Sequence, residues 1–252
     1  MEVKTAQELV TLFNETTGNT LQTDIEVTAD LDFFGSTLTH PLGAFSNGTC
    51  VVFSGKFQGN GHSIKGLKMD NQYNYGGYRS AGVFCRLKDA IVENFVIDSS
   101  CSFTSYDYAG ALSVSLDGSL TVKNVTNRAV VINSGNRAGG FIGYIEDLKQ
   151  PVVISFGHCV NDGNVMGGYH VGGFVGFIGY NTNVTLAIIN STNNGKVAGY
   201  DIAGGFVGGF SYSFAITSFC QLPSSMLSTT LPFWGSRGLP RYRLWPVAVE
   251  GM

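Results

Sequence analysis

Charge is scarce in this chain: Asp, Glu, Lys and Arg make up 13% of its 252 residues, about half the usual share. The net charge of −3 gives no basic surface for nucleic acid or an anionic membrane, so neither is expected as a partner. No apolar run approaches the roughly 20 residues of a transmembrane helix, and no transmembrane segment is expected. The start, Met1-Glu2-Val3-Lys4, has no basic stretch leading into an apolar one, so no signal peptide is visible. Also missing are a P-loop, an HExxH zinc motif, a G-x-S-x-G elbow and any CxxC pair. His40, His158 and His170 have no partner at a motif spacing. Amphipathic helical periodicity is almost wholly absent, which excludes an alternating α/β chain.

Five cysteines (Cys50, Cys85, Cys101, Cys159 and Cys220) are an odd number without metal-type spacing, and buried free thiols are expected. Five Asn-x-Ser/Thr sequons, at Asn14, Asn47, Asn124, Asn183 and Asn190, matter only if the chain is secreted.

Glycine, in contrast, is abundant, at 34 residues, and it recurs in a pattern. Ala81-Gly82-Val83-Phe84, Ala109-Gly110-Ala111-Leu112, Ala138-Gly139-Gly140-Phe141, Val171-Gly172-Gly173-Phe174 and Ala203-Gly204-Gly205-Phe206 are five copies of one phrase. Their starts lie 28, 29, 33 and 32 residues apart. A period in this range marks a repeat architecture in which each unit buries its apolar face against its neighbours. In three units the phrase runs on as one strand ending at Gly143, Gly176 and Gly208. An alternating strand such as Ala90–Ile97 follows, and then a third short strand after an Asn, in the pairs Asn127…Val131, Asn161…Val165 and Asn193…Val197.

Three short strands per unit without a helix predict an all-β, right-handed parallel β-helix with one unit per coil. Equivalent residues then stack about 4.8 Å apart, giving an internal Phe/Leu ladder and an Asn ladder at the bends. Thr5-Ala6-Gln7-Glu8 is a capping box before Leu9–Phe13, so a short capping helix is expected over the open end of the coil. Residues 1–70 read as this cap with the first coils, 71–212 as the repeats and 213–252 as a non-repeat tail. The tail holds four of the six prolines, both tryptophans and a single acid, Glu250. Two readings stay open for it: a cap, disordered or partner-binding, or sequence read out of frame. The chain is expected to belong to a longer one.

The cores Gly140-Phe141-Ile142-Gly143, Gly173-Phe174-Val175-Gly176 and Gly205-Phe206-Val207-Gly208 resemble the GLUG repeat of bacterial and protist surface proteins. The lead-in Phe53-Ser54-Gly55-Lys56-Phe57-Gln58-Gly59-Asn60-Gly61-His62 is similar to segments that precede such repeats. The resemblance covers residues 3–212, with Cys85 and Ser113 departing from it. It implies a secreted or cell-surface β-solenoid, sometimes attached to larger adhesins or peptidases, and it carries over no catalytic residues.

Two groups of residues are candidate sites. Asp89, Asp117 and Glu146 each lie eight residues after the start of their phrase, with Asp147 adjacent, and stacked coils would bring them into a column. Such a column suits Ca²⁺, or the paired carboxylates of a glycan-active hydrolase or lyase, or it is a set of solvated turn residues. Asp30, Asp32 and His62 are read as exposed strand and turn residues. Tyr73, Tyr75, Tyr78, Tyr106, Tyr108, Tyr169 and Tyr200 precede the phrase in successive units and are expected along one edge. Tyrosine there suits sugar rings or a protein partner. The leading expectation is a non-catalytic, extracellular or cell-surface module for adhesion, structural display or ligand binding, without a cofactor. The alternative is the glycan-active enzyme.

Overall fold

A computed structural model describes residues 1–36, 38–45, 49–71, 79–148, 150–180, 184–211 and the backbone of 220–221. In Ala90–Ile97, Ala90, Val92, Phe95 and Ile97 face inward, although strict alternation would break between Val92 and Phe95. Asn94 resolves this by adopting a left-handed conformation (φ 57°), which resets the alternation inside the strand. Asn60, Asn124, His158 and Asn190 do the same in other coils, with φ between 48° and 54°.

The coil has four walls rather than the three strands expected. Wall 1 contains Ile25–Val27, Lys56–Gln58, Ala90–Ile97, Leu120–Asn127, Val152–Gly157 and Val184–Ile189. Wall 2 contains Lys68–Asn71, Ser102–Ser105, Val130–Asn133, Val165–Gly167 and Val197–Gly199. Wall 3 contains Tyr108–Gly110, Arg137–Gly139, His170–Gly172 and Ile202–Gly204. Wall 4 contains Thr20–Leu21, Val52–Phe53, Phe84–Leu87, Ser113–Leu116, Ile142–Ile145, Val175–Ile178 and Val207–Phe210. The ladders between these strands are parallel, as a β-solenoid of about six turns requires.

The additional wall arises within the repeated phrase itself. Its Ala-Gly ends a wall-3 strand, its large fourth residue turns the corner, and wall 4 begins at or just after it. Gly143, Gly176 and Gly208 therefore lie inside wall-4 strands instead of closing them. The tightness of the corner explains the invariant second glycine. A Cβ on Gly139 would sit 1.9 Å from the carbonyl oxygen of Ile142, and one on Gly172 would sit 2.0 Å from that of Val175.

The expected ladders are present. Phe84, Leu112, Phe141 and Phe174 are fully buried, and Phe206 packs against the same core. The rings of Phe141 and Phe174 lie 4.8 Å apart, and those of Phe174 and Phe206 5.1 Å. Full burial of each such side chain stabilises the coil by about 1.5–3 kcal/mol. At the bend from wall 1 to wall 2, Asn127 donates from Nδ2 to Asn161 Oδ1 at 2.8 Å. Asn161 donates in turn to Asn193 Oδ1 at 2.7 Å.

The capping box forms at Thr5 and Glu8 and opens α1 (Ala6–Asn14). Buried Leu9 and Phe13 extend the core, with the Phe13 ring 6.0 Å from Phe53 and 5.9 Å from Phe84. The cysteines differ in part from expectation. Cys50 and Cys85 form a disulfide between the segment preceding Val52–Phe53 and the next wall-4 strand. Cys101 and Cys159 are buried free thiols, and burial pushes each up to about 11. The side chain of Cys220 and the tail expected over 213–252 lie outside the described residues, save that Cys220–Gln221 pairs with Ile188–Ile189.

Candidate binding surface

The register of wall 4 changes the acidic column. Ala81 is aligned with Ala109, but Phe84 pairs with Ser113, so wall 4 gains one residue between the first two phrases. Leu87, Leu116 and Ile145 then align, and the residues that follow them in successive coils are Lys88, Asp117 and Glu146. Backbone hydrogen bonds of 2.9 Å from Asp117 to Leu87 and from Glu146 to Leu116 fix this order. Asp89 lies one position further on, in a left-handed turn (φ 49°), where its Oδ1 accepts the Ser119 N–H at 3.0 Å.

The column is therefore mixed in charge. Lys88 Nζ lies 3.5 Å from Asp117, and the Arg86 guanidinium lies 2.7 Å from Glu146. The Ser115 hydroxyl also donates to Glu146, at 2.9 Å. A groove of about 400 Å³ runs beside Asp89, Asp117, Ser119 and Asp147. Among the described residues no group of three or more His, Cys, Asp or Glu is placed to hold a metal ion. In the first coils, Asp30 is an ion-pair partner of Lys65 and lies 3.6 Å from His62. Asp32 accepts the Phe34 N–H.

Of the tyrosines, Tyr73, Tyr75 and Tyr78 lie outside the described residues. Wall 3 aligns Tyr108, Arg137, His170 and Ile202. The preceding positions are then Asp107, Asn136, Tyr169 and Asp201, and before those Tyr106, Gly135, Gly168 and Tyr200. The tyrosines thus share one edge but stand in three adjacent columns. Tyr169 is 53% exposed and Tyr200 89%. Tyr106 carries the Arg79 guanidinium 4.6 Å above its ring, and Arg79 forms a two-point pair with Asp107 at 2.9 and 3.0 Å.

Tyr108 belongs to a larger cluster that the sequence reading missed. Its ring stacks on Tyr144 of wall 4 at 5.2 Å. Tyr144 stacks in turn on Phe177 at 6.4 Å, and the His170 ring lies 4.4 Å from Phe177. Arg137 lies over three of these rings, 5.4 Å from Tyr108, 4.1 Å from Tyr144 and 4.3 Å from Phe177. All five side chains are half-buried. The meeting of partly exposed side chains from walls 3 and 4 marks the corner between them as re-entrant. The signal was available: an aromatic stands three residues after the ladder Phe in two consecutive units, at Tyr144 and Phe177.

The cluster has its own electrostatics. Burial pushes the Tyr144 hydroxyl up to about 12, aided by its 2.9 Å hydrogen bond to Asp147. Burial, then the charge of Arg137, holds His170 below its ordinary value, so its imidazole is neutral at pH 7. Among the described residues Arg79, Arg86 and Arg128 each form an ion pair, and Arg137 forms none.

No protein-family description matches the chain, and no curated protein sequence is similar to it. The crystal structure of a "putative immunoglobulin A1 protease" from Bacteroides ovatus is similar, with a TM-score of 0.67 over 86% of this chain. The chain spans 63% of the length of that protein. The two are 18% identical, and the likeness concerns the fold alone.

Proposed function

We propose that the chain is a non-catalytic β-solenoid module of GLUG-repeat type, secreted or displayed at a cell surface, that binds a glycan or protein ligand along its tyrosine edge. The observation that carries this reading is the exposure of Tyr169 and Tyr200 on the same edge as the Tyr108 corner. Large exposed rings gathered along one edge, here in neighbouring columns, suit a contact face, since each offers a flat apolar surface and a hydroxyl. The Cys50–Cys85 disulfide supports an oxidising, extracellular setting. In this reading Asp117 and Glu146 are partners of Lys88 and Arg86 and take no part in bond cleavage.

The test is a screen of immobilised glycans and surface proteins with the wild-type chain, Tyr169→Ala/Tyr200→Ala and Asp117→Asn/Glu146→Gln. Capture is expected to weaken about tenfold in the tyrosine variant, to persist in the acid variant and to survive EDTA. Release of new reducing ends from a glycan by the wild type, abolished in the acid variant, would establish the glycan-active alternative instead.

A further inference from the structure

We infer that the re-entrant corner between walls 3 and 4 is a receptor for a sugar bearing a single carboxylate, read by Arg137. This rests on the ligand-binding reading above and names the ligand class. Arg137 combines two properties that seldom coincide. It is half-buried, yet among the described residues it forms no ion pair. Its charge is instead supported by the rings of Tyr108, Tyr144 and Phe177. A guanidinium held by its face against rings keeps its N–H donors at its rim; the Tyr144 hydroxyl engages part of that fork, and the remaining donors have the geometry that grips a carboxylate through two parallel hydrogen bonds.

The surroundings select the rest of the ligand. Asp147 lies beside Tyr144, and Asp201 acts electrostatically on His170. These two carboxylates would repel a densely charged anion but accept hydrogen bonds from hydroxyl groups. Tyr108 and Phe177 are only partly buried and leave apolar ring surface for the C–H groups of a sugar. One carboxylate, several hydroxyls and an apolar ring face together describe an acidic monosaccharide unit. His170 is neutral at pH 7 and adds no second cation.

The test is titration calorimetry of the full chain with a glucuronosyl-galactose disaccharide and with its methyl ester, which keeps the ring and removes the charge. The acid is expected to bind about tenfold tighter than the ester. The preference should vanish in Arg137→Met and shrink in Arg137→Lys, with circular dichroism confirming the fold of each. If Arg137→Met does not fold, the wild-type comparison and Arg137→Lys decide. Equal affinity for acid and ester overturns the inference, as does a folded Arg137→Met that keeps the preference. Displacement of the disaccharide by equimolar inorganic phosphate also overturns it, because the corner would then read a bare anion. If neither disaccharide binds while the tyrosine edge captures another ligand, only this inference falls. If that screen is blank as well, the binding reading falls with it.

Discussion

The side-chain amide of Asn127 donates to that of Asn161 at 2.8 Å, although 34 residues separate them. Asn161 passes the bond on to Asn193 and also donates to Gly163 O at 3.0 Å, all from a fully buried position. Removing the middle amide leaves Asn127 Nδ2 with only its 3.4 Å bond to Ala129 O and takes a donor from both Asn193 Oδ1 and Gly163 O. Asn161→Ala should therefore cost about 2–4 kcal/mol, since each buried polar group left unpaired costs about 1–3. Asn193→Ala, at the less buried end of the ladder, should cost about half as much. Urea unfolding with the slope monitored checks both, and equal losses would argue against a chain of amides.

Gly172 and Gly157 are both strand glycines, and only one has no room. A Cβ on Gly172 would meet Val175 O at 2.0 Å and Gly208 N at 2.6 Å, both backbone atoms that cannot swing aside. A Cβ on Gly157 would meet nothing within 4 Å. Gly172→Ala should destabilise by about 3 kcal/mol, and Gly157→Ala should stay within about 0.5 kcal/mol of the wild type. Thermal midpoints of the pair measure the difference directly.

This contrast also shows how far the sequence could be read. The recurring phrase located the coil, the Phe ladder and the Asn ladder because residues that stack must recur at the coil period. It concealed the fourth wall because a glycine that turns a corner and one that continues a strand look alike in sequence. In the structure the wall-3 strands end at Gly139 and Gly172, where a Cβ would clash with the backbone of the next strand. Counting from the phrase puts Asp89 in line with Asp117, whereas the one residue gained in wall 4 puts Lys88 there. The Cys50–Cys85 bridge was hidden because an odd cysteine count fixes no pairing. The Arg137 cluster has no local sequence signature because two of its rings, Tyr144 and Phe177, come from another wall, and side-chain meetings across a corner leave no local spacing.

The Cys50–Cys85 bridge closes a separation of 35 residues. Chain-entropy arguments give such a loop about 2–4 kcal/mol. Cys50→Ser/Cys85→Ser should lower stability by that amount and abolish the effect of dithiothreitol on the melting curve. In a Cys220→Ser background, Cys101 and Cys159 should resist a thiol reagent at pH 8 until the chain unfolds, because burial raises both thiols to about 11. Rapid labelling of the folded chain would contradict their burial.

Asp30 supplies a pH dependence whose sign follows from its environment. A hydrogen bond from Lys65, then one from the Ser63 N–H, lowers its carboxyl from 3.8 to about 2. A carboxyl lowered by folding stabilises the native state above its unfolded value, and that contribution disappears as pH falls towards 2. Asp30→Asn should accordingly melt below the wild type at pH 6 and converge with it near pH 2. The side chain is 44% exposed, so solvent screens the pair and the gap should be small, about 1–3 °C. High salt should narrow it further, because exposed pairs are screened over a few ångströms at 1 M. A gap of the same size at pH 2 and pH 6 would assign the loss to the hydrogen bond with Ser63, independent of charge.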